Sequence, residues 1–340
     1  MYSGCVTQKK KKFLKGNNIL SQNKVNTTTS SLSMNKTFSF GSHQSFPLRY
    51  GWIEKFCDNL MEKYQKTEVI PREELASETL CLNYGLGSNM AKSIRFWLKA
   101  CGIIEDTIKS KKDSKFTNFA CKIFGVNGDD KFLENKETIW RLHYNLVTNE
   151  DVTTWFWFFN KFKKQTFDRQ QLVNDLYEAS SKSYNEINIK RDVDCFIRSY
   201  AGTSSSNLNE NEDALECPFI ELNLIRKAFG NTLVAKRGEQ NSLPDDLFLL
   251  SVIECWMSQG SKASTITVET LLNQPKSPGC IFLLNRDSLI ERLENIHKLS
   301  KETISLDQSS GLAQIIINQN GIDTVYKDIC LKFKNRDENE

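Results

Sequence analysis

The sequence predicts an α+β protein, mainly helical with small β-ribbons. Two observations predict it. An amphipathic stripe with steps of 4, 3, 1 and 3 recurs along the chain, and a ribbon-like segment follows each recurrence. At 340 residues the chain has room for two or three domains.

Residues 1–36 come first and read as a disordered basic tail. Lys9, Lys10, Lys11, Lys12, Lys15 and Lys24 occur there without any acid, among Asn, Thr and Ser that have little to bury. Residues 37–128 form the first expected unit. In it "PREELASETL" is a short helix from Pro71 that ends near a glycine turn. "GLGSNMAKSIRFWLKACGIIE" then turns Met90, Ile94, Trp97, Leu98 and Cys101 inward, one stripe of a 3.6-residue helix. The opposite face is expected to carry Asn89, Lys92, Ser93, Phe96 and Lys99, with Arg95 at its border. Gly102 stops the helix, and "IIEDTIKSKKDSKFTNFACKIFG" reads as strand, polar loop, then strand or helix.

Residues 129–240 hold a helical linker and the second unit. "TFDRQQLVNDLYEAS" has a capping Asp168, and "NIKRDVDCFIRSYAG" repeats the stripe with Ile189, Val193, Phe196, Ile197 and Tyr200. Phe229, Gly230 and Asn231 make its ribbon turn. Residues 241–336 give a third version. It runs through "LPDDLFLLSVIECWMSQ", "TVETLLN" and "NRDSLIERLENIHKLS" to a ribbon, "TISLDQSSGLAQIIIN", and a closing helix, "GIDTVYKDICLKF". Helix, turn, helix, ribbon is the order of a winged helix, so the expectation is three tandem winged-helix-like units.

Charge separates the units. The net charge is +3; the tail's six lysines leave −3 for the rest, so any nucleic-acid contact needs a local patch. Between Ser88 and Phe116 seven bases (Lys92, Arg95, Lys99, Lys109, Lys111, Lys112, Lys115) face three acids (Glu105, Asp106, Asp113). The expected nucleic-acid-binding residues are therefore Ser88, Asn89, Lys92, Ser93, Arg95, Lys99, Lys109, Lys111, Lys112 and Lys115. Lys and Arg pair with phosphates, and Asn89 and Arg95 have side chains able to read base edges. The third unit balances Glu291 and Glu294 against Arg286 and Arg292 and reads as a protein-contact element.

Other chemistry is thin. No run of about 18 apolar residues exists to span a membrane, and the basic N-terminus lacks a signal peptide's apolar core. Ten cysteines without a CxxC pair read as reduced thiols of a cytoplasmic protein. Three scattered histidines, His43, His143 and His297, suggest no metal site, and no cofactor is expected. "GLGSN" lacks the Gly-Lys-Ser/Thr ending of a phosphate loop, so its glycines read as the turn between two helices.

"FSFGSHQSFPLRYGW", residues 38–52, resembles the N-terminal signature of a prokaryotic family known as domain of unknown function 4007. The matching positions are Phe40, Gly41, His43, Phe46, Pro47, Leu48, Arg49, Tyr50 and Trp52. "LGSNMAKSIRFWLKACGI" is similar to a second family segment through Gly85, Gly87, Asn89, Met90, Ile94, Arg95 and Trp97. "KFLENKETIWRLHYNL" matches a third through Leu133, Glu134, Trp140, Leu142 and His143. The resemblance spans roughly residues 38–335, within the chain's ordered composition. It implies association with DNA-modification and phage-defence gene clusters, beside sulfate-reductase-like proteins and cysteine desulfurases, and hence with DNA phosphorothioation.

His43, Arg49 and His143 are signature residues without an evident role. No serine or cysteine is paired with His43 by spacing, so no catalytic residue is expected. The expected function is a non-catalytic accessory component that binds double-stranded DNA, with sulfur-transfer or DNA-modification proteins as further partners. The alternative is a scaffold that docks such an enzyme. No membrane partner is expected.

Overall fold

A computed structural model describes residues 37–64, 69–107, 113–202, 217–260 and 263–332. The tail expected over residues 1–36 lies outside these, as do Lys109, Lys111 and Lys112.

The chain is α+β, with helices carrying small antiparallel sheets. Trp52–Tyr64 (α1) is helical because Trp52, Ile53, Phe56, Cys57, Leu60 and Met61 fall on one inward stripe. Ile70 then bridges to Ser114 through two backbone hydrogen bonds, of 2.7 and 3.0 Å. A 3₁₀ turn over Arg72–Leu75 leads into Ser77–Tyr84 (α2). Gly85, in the left-handed region at φ 64°, caps α2, and Gly87 starts Ser88–Ala100 (α3). At the far end of α3, Ile103 N–H bonds the Leu98 carbonyl and Gly102 N–H that of Lys99, a Schellman closure. Gly102 sits at φ 70°, and a Cβ there would lie 2.8 Å from Asn145 Nδ2, so a side chain is both strained and crowded. Ile104–Asp106 (β1) pairs with Ser114–Phe116 (β2), and Asn118–Phe124 (α4), capped by Thr117, follows.

Lys136–Thr148 (α5) and Thr153–Lys161 (α6) lead to the second set. It comprises Thr166–Phe167 (β3), Arg169–Ala179 (α7), Glu186–Ala201 (α8), a 3₁₀ turn over Pro218–Leu222, Ile225–Lys227 (β4) and Leu233–Ala235 (β5). Asp168 and Asn185 cap α7 and α8 by accepting backbone N–H bonds. After Asp245–Ser258 (α9) the third set runs Thr265–Thr267 (β6), Val268–Asn273 (α10), Pro278–Ile281 (α11), Arg286–Glu294 (α12), Ile296–Leu299 (α13), Ile304–Asp307 (β7) and Gln314–Ile317 (β8). Gln319–Lys332 (α14) closes the described chain. The single helix expected over residues 285–300 is thus two, broken at Asn295, which ends α12 and starts α13.

The three sets share a strand order. The sheets run β3-β5-β4 and β6-β8-β7, so the strand before the helices lies beside the last strand. The Ile70–Ser114 bridge gives the first set the same arrangement around β2 and β1.

The described residues from Phe38 onward form one compact unit, and α6 is its hub. Thr153 through Asn160 are all buried, the signature of a helix apolar on every side. Trp155 meets Trp97 of α3 edge-on at 5.3 Å, and Phe158 meets Phe196 of α8 at 4.5 Å. Asn160 accepts the backbone N–H of Lys276, from the third set. Burying each such phenylalanine contributes about 1.5–3 kcal/mol. The stretch that was too short to span a membrane is therefore the centre of the core. No helix among the described residues is long and apolar enough to cross a membrane.

Candidate nucleic-acid interface

The outer face of α3 is a narrow polar stripe. Ser88, Asn89, Lys92, Arg95 and Lys99 are exposed, at steps that keep them together on one side. Ala91, Ile94, Trp97, Leu98 and Ala100 are buried on the other. Ser93 departs from the expectation. It is wholly buried and its hydroxyl donates to the Phe46 carbonyl at 3.4 Å. The reason is helical geometry: Ser93 lies one turn before Trp97, so the face that buries the indole buries the serine. Phe96, expected outside, is half-buried with its ring edge-on to His43 at 5.8 Å.

The stripe forms one wall of an open groove of about 670 Å³, lined by Ser42, Gln44, Arg72, Leu75, Lys92, Arg95, Phe96, Lys99 and Ser114. Four cations from two separate segments meet there, and no carboxylate lines it. Lys99 is paired with Asp106 of β1, while Arg72 and Lys92 make no ion pair among the described residues. Arg95 reaches the Leu75 carbonyl at 3.5 Å. Lys115 points elsewhere: it does not line the groove, and it pairs at 3.0 Å with Glu105, its cross-strand partner. Ser88 and Asn89 are exposed at the start of α3 but outside the groove lining.

Arg72 was not expected here. It follows Pro71 in an ordinary-looking helix start, and only the 3₁₀ turn swings it beside α3. Ser42 and Gln44 were not expected either. They sit on a tight loop in which Gly41, Gln44 and Ser45 all take positive φ, at 82°, 51° and 66°. Two successive non-glycine residues in that region are costly and need firm anchoring.

The anchor is a buried pair. His43 Nδ1 accepts the Ser45 N–H at 3.0 Å, which leaves the proton on Nε2 to donate to Asp192 Oδ1 at 3.0 Å. Asp192 also accepts the Gly41 N–H at 2.6 Å and the Thr154 hydroxyl at 3.1 Å. The carboxylate of α8 thus gathers three donors from the signature loop and α6. The Phe46 carbonyl receives the Trp97 indole N–H at 2.9 Å, and Arg198 of α8 donates to the Ser45 carbonyl. His43 is therefore a clasp between α3, α6 and α8, and its two nitrogens are both engaged. Arg49 lies over the Trp52 ring at 5.8 Å.

His143 has a parallel role deeper in the core. Its Nδ1 accepts the Tyr200 hydroxyl at 2.7 Å and its Nε2–H donates to the Ile281 carbonyl at 2.8 Å. Burial pushes its pKa down to about 4, against a smaller opposing effect of the Ile281 bond, so the ring is neutral. The nine described cysteines are free thiols, six of them buried, and burial raises those of Cys57, Cys101, Cys195, Cys217 and Cys255. Among the described residues no group of three His, Cys, Asp or Glu side chains is placed to hold a metal ion.

Known proteins agree with this architecture. A solved structure described as "Magnesium ion-bound SspB crystal structure" is similar at TM-score 0.72 and 21% identity, covering 88% of this chain and 90% of that one. A second, "SspB crystal structure", has the same TM-score and coverage at 22% identity. At such identities the likeness shows a shared fold. No curated protein matches the chain. A family model described as "Protein of unknown function (DUF4007)" matches residues 40–331, and the chain belongs to that family.

Proposed function

We propose that the protein is a non-catalytic, DNA-binding accessory component of a prokaryotic DNA sulfur-modification or defence system. One observation carries the reading. Arg72, Lys92, Arg95 and Lys99 converge in one open groove that no carboxylate lines. Such a lining suits the phosphate backbone of double-stranded DNA, whose neutralisation releases condensed counterions. The three repeated strand orders support winged-helix-like units over residues 37–128, 129–240 and 241–336. In the first, α3 takes the place of the recognition helix and β1–β2 that of the wing. Asn89 and Arg95 are then the base readers, and Lys111 and Lys112 extend the phosphate contact. The family's association with DNA-modification gene clusters supports the phosphorothioation setting.

The alternative is a scaffold that docks a sulfur-transfer or modification enzyme. The third repeat favours it: Arg286 and Arg292 are paired with Glu269 and Asp245 and are not offered to phosphate.

A salt titration of duplex binding tests the choice. The chain should bind with a steep dependence on salt, and Arg72→Ala/Lys92→Ala/Arg95→Ala should flatten the slope by about three, roughly 0.9 per lost phosphate contact. Equal affinity and slope in the triple variant would move the scaffold reading ahead.

A further inference from the structure

The second repeat carries a feature that the groove does not use. Between β4 and β5, the Ala228 N–H bonds the Thr232 carbonyl at 2.8 Å and closes a loop of Phe229, Gly230 and Asn231. Gly230 takes φ 67°, which a residue without Cβ adopts freely and which makes the loop tight. Phe229 is 100% exposed at its tip, a whole aromatic ring in solvent. A ring held away from every neighbour on a hydrogen-bonded hairpin loses the transfer free energy that burial gives the other phenylalanines.

The surroundings are cationic. Arg226 and Lys227 precede the tip on β4; both are exposed, and neither forms an ion pair among the described residues. Beside the hairpin lies a cleft of about 810 Å³, whose lining includes Arg169, Asp194, Arg198, Lys227 and Asn231. Its two carboxylates are occupied. Asp194 pairs with Arg169, and Asp168 caps α7 through the Gln171 N–H. Lys227 is left as a cation with no counter-charge, and partial burial lowers its pKa. An anion placed against it would relieve that cost.

We infer that the β4–β5 hairpin is a second nucleic-acid contact, in which Phe229 stacks on a base while Arg226 and Lys227 pair with the flanking phosphates. A lone ring set among cations is poorly suited to a protein partner. A stable protein interface covers about 800 Å² per side with an apolar centre. Every base, by contrast, offers a π-face to one aromatic side chain, and an inserted ring can unstack a base step. The hairpin follows α8 just as β1–β2 follows α3, so the repeat places it where a wing belongs. The inference rests on the DNA-binding reading above.

Fluorescence anisotropy with labelled duplex and single-stranded oligonucleotides tests it on the full chain. Phe229→Ala should weaken binding roughly tenfold or more without changing the salt slope, because stacking is lost and no charge is removed. Arg226→Ala/Lys227→Ala should flatten the slope by about two. Phe229→Trp should keep the affinity and lose fluorescence as DNA is added. That signal is readable because all six native tryptophans are buried. Phe229 buries nothing, so its variants should melt like the parent. If Phe229→Ala binds like the parent while Arg72→Ala/Lys92→Ala/Arg95→Ala does not, the hairpin inference falls and the groove stands. If only the hairpin variants lose affinity, the groove reading falls and this one stands. A parent chain that binds neither oligonucleotide overturns both, and an altered vesicle affinity or self-association of Phe229→Ala with unchanged DNA binding gives the tip to another partner.

Discussion

Helices α3 and α8 occupy the same slot in two repeats, each following a shorter helix and preceding a two-stranded ribbon. Their outer faces are used in opposite ways. On α3 the polar stripe is turned to an open groove, and Lys92 is left without an ion pair among the described residues. On α8 the polar residues are consumed by the protein. Asp192 holds His43, Gly41 and Thr154, Asp194 holds Arg169, and Arg198 holds the Ser45 carbonyl. One backbone arrangement thus serves once as a presenting surface and once as an internal fastener. The difference lies in which side chains find partners within the chain, and a charge that finds one has less to offer a ligand.

Three variants test that contrast, from the largest effect to the smallest. Trp97→Ala on α3 should cost about 3–5 kcal/mol, because a wholly buried indole between Phe46, Trp155 and Phe96 leaves a cavity and strands the Phe46 carbonyl. Chemical denaturation measures it; a loss under 1 kcal/mol would mean that α3 is not fixed from its inner side.

Acid should loosen the α8 side through His143, the partner of Tyr200. Its folded pKa of about 4 lies below the unfolded value near 6.5, so the unfolded chain binds the proton first. The neutral ring's contribution is complete above pH 6.5 and declines as pH falls towards 4, by about 3 kcal/mol in all. His143→Gln should show a shallower decline over that window. Equal pH profiles for parent and variant would remove His143 from the acid response.

The smallest effect separates two neighbours on α8. Asp192→Ala strands buried donors and should cost roughly 1–3 kcal/mol. Asp194→Ala breaks an exposed pair and should cost under about 1 kcal/mol. If Asp194 proved the costlier of the two, the fastening role of Asp192 would be wrong. Thermal melts of both variants decide this.

Much of the fold was legible in local sequence. The stripe of Ile94, Trp97 and Leu98 gave α3, Asp168 gave the start of α7, and Phe229-Gly230-Asn231 gave the β4–β5 turn. Each depends on residues a few positions apart, where helix period, capping and turn chemistry act. Ser93 shows the limit of such reading. A small polar residue on the border of a stripe goes inside or outside according to what packs against it, and here the Phe46 carbonyl awaited it.

By itself, the sequence determined the helices, the ribbons and a local excess of positive charge after Ser88, because periodicity and charge are properties of neighbouring residues. Only the tertiary structure decided which charges remain available. Lys99 and Lys115 are drawn to Asp106 and Glu105, while Arg72 joins Lys92 and Arg95 across a gap in sequence. The clasp of His43 on Asp192 spans 149 positions. Its partner was set by the packing of α6 and α8, since a hydrogen bond needs contact within about 3 Å and sequence spacing fixes no distance at that range.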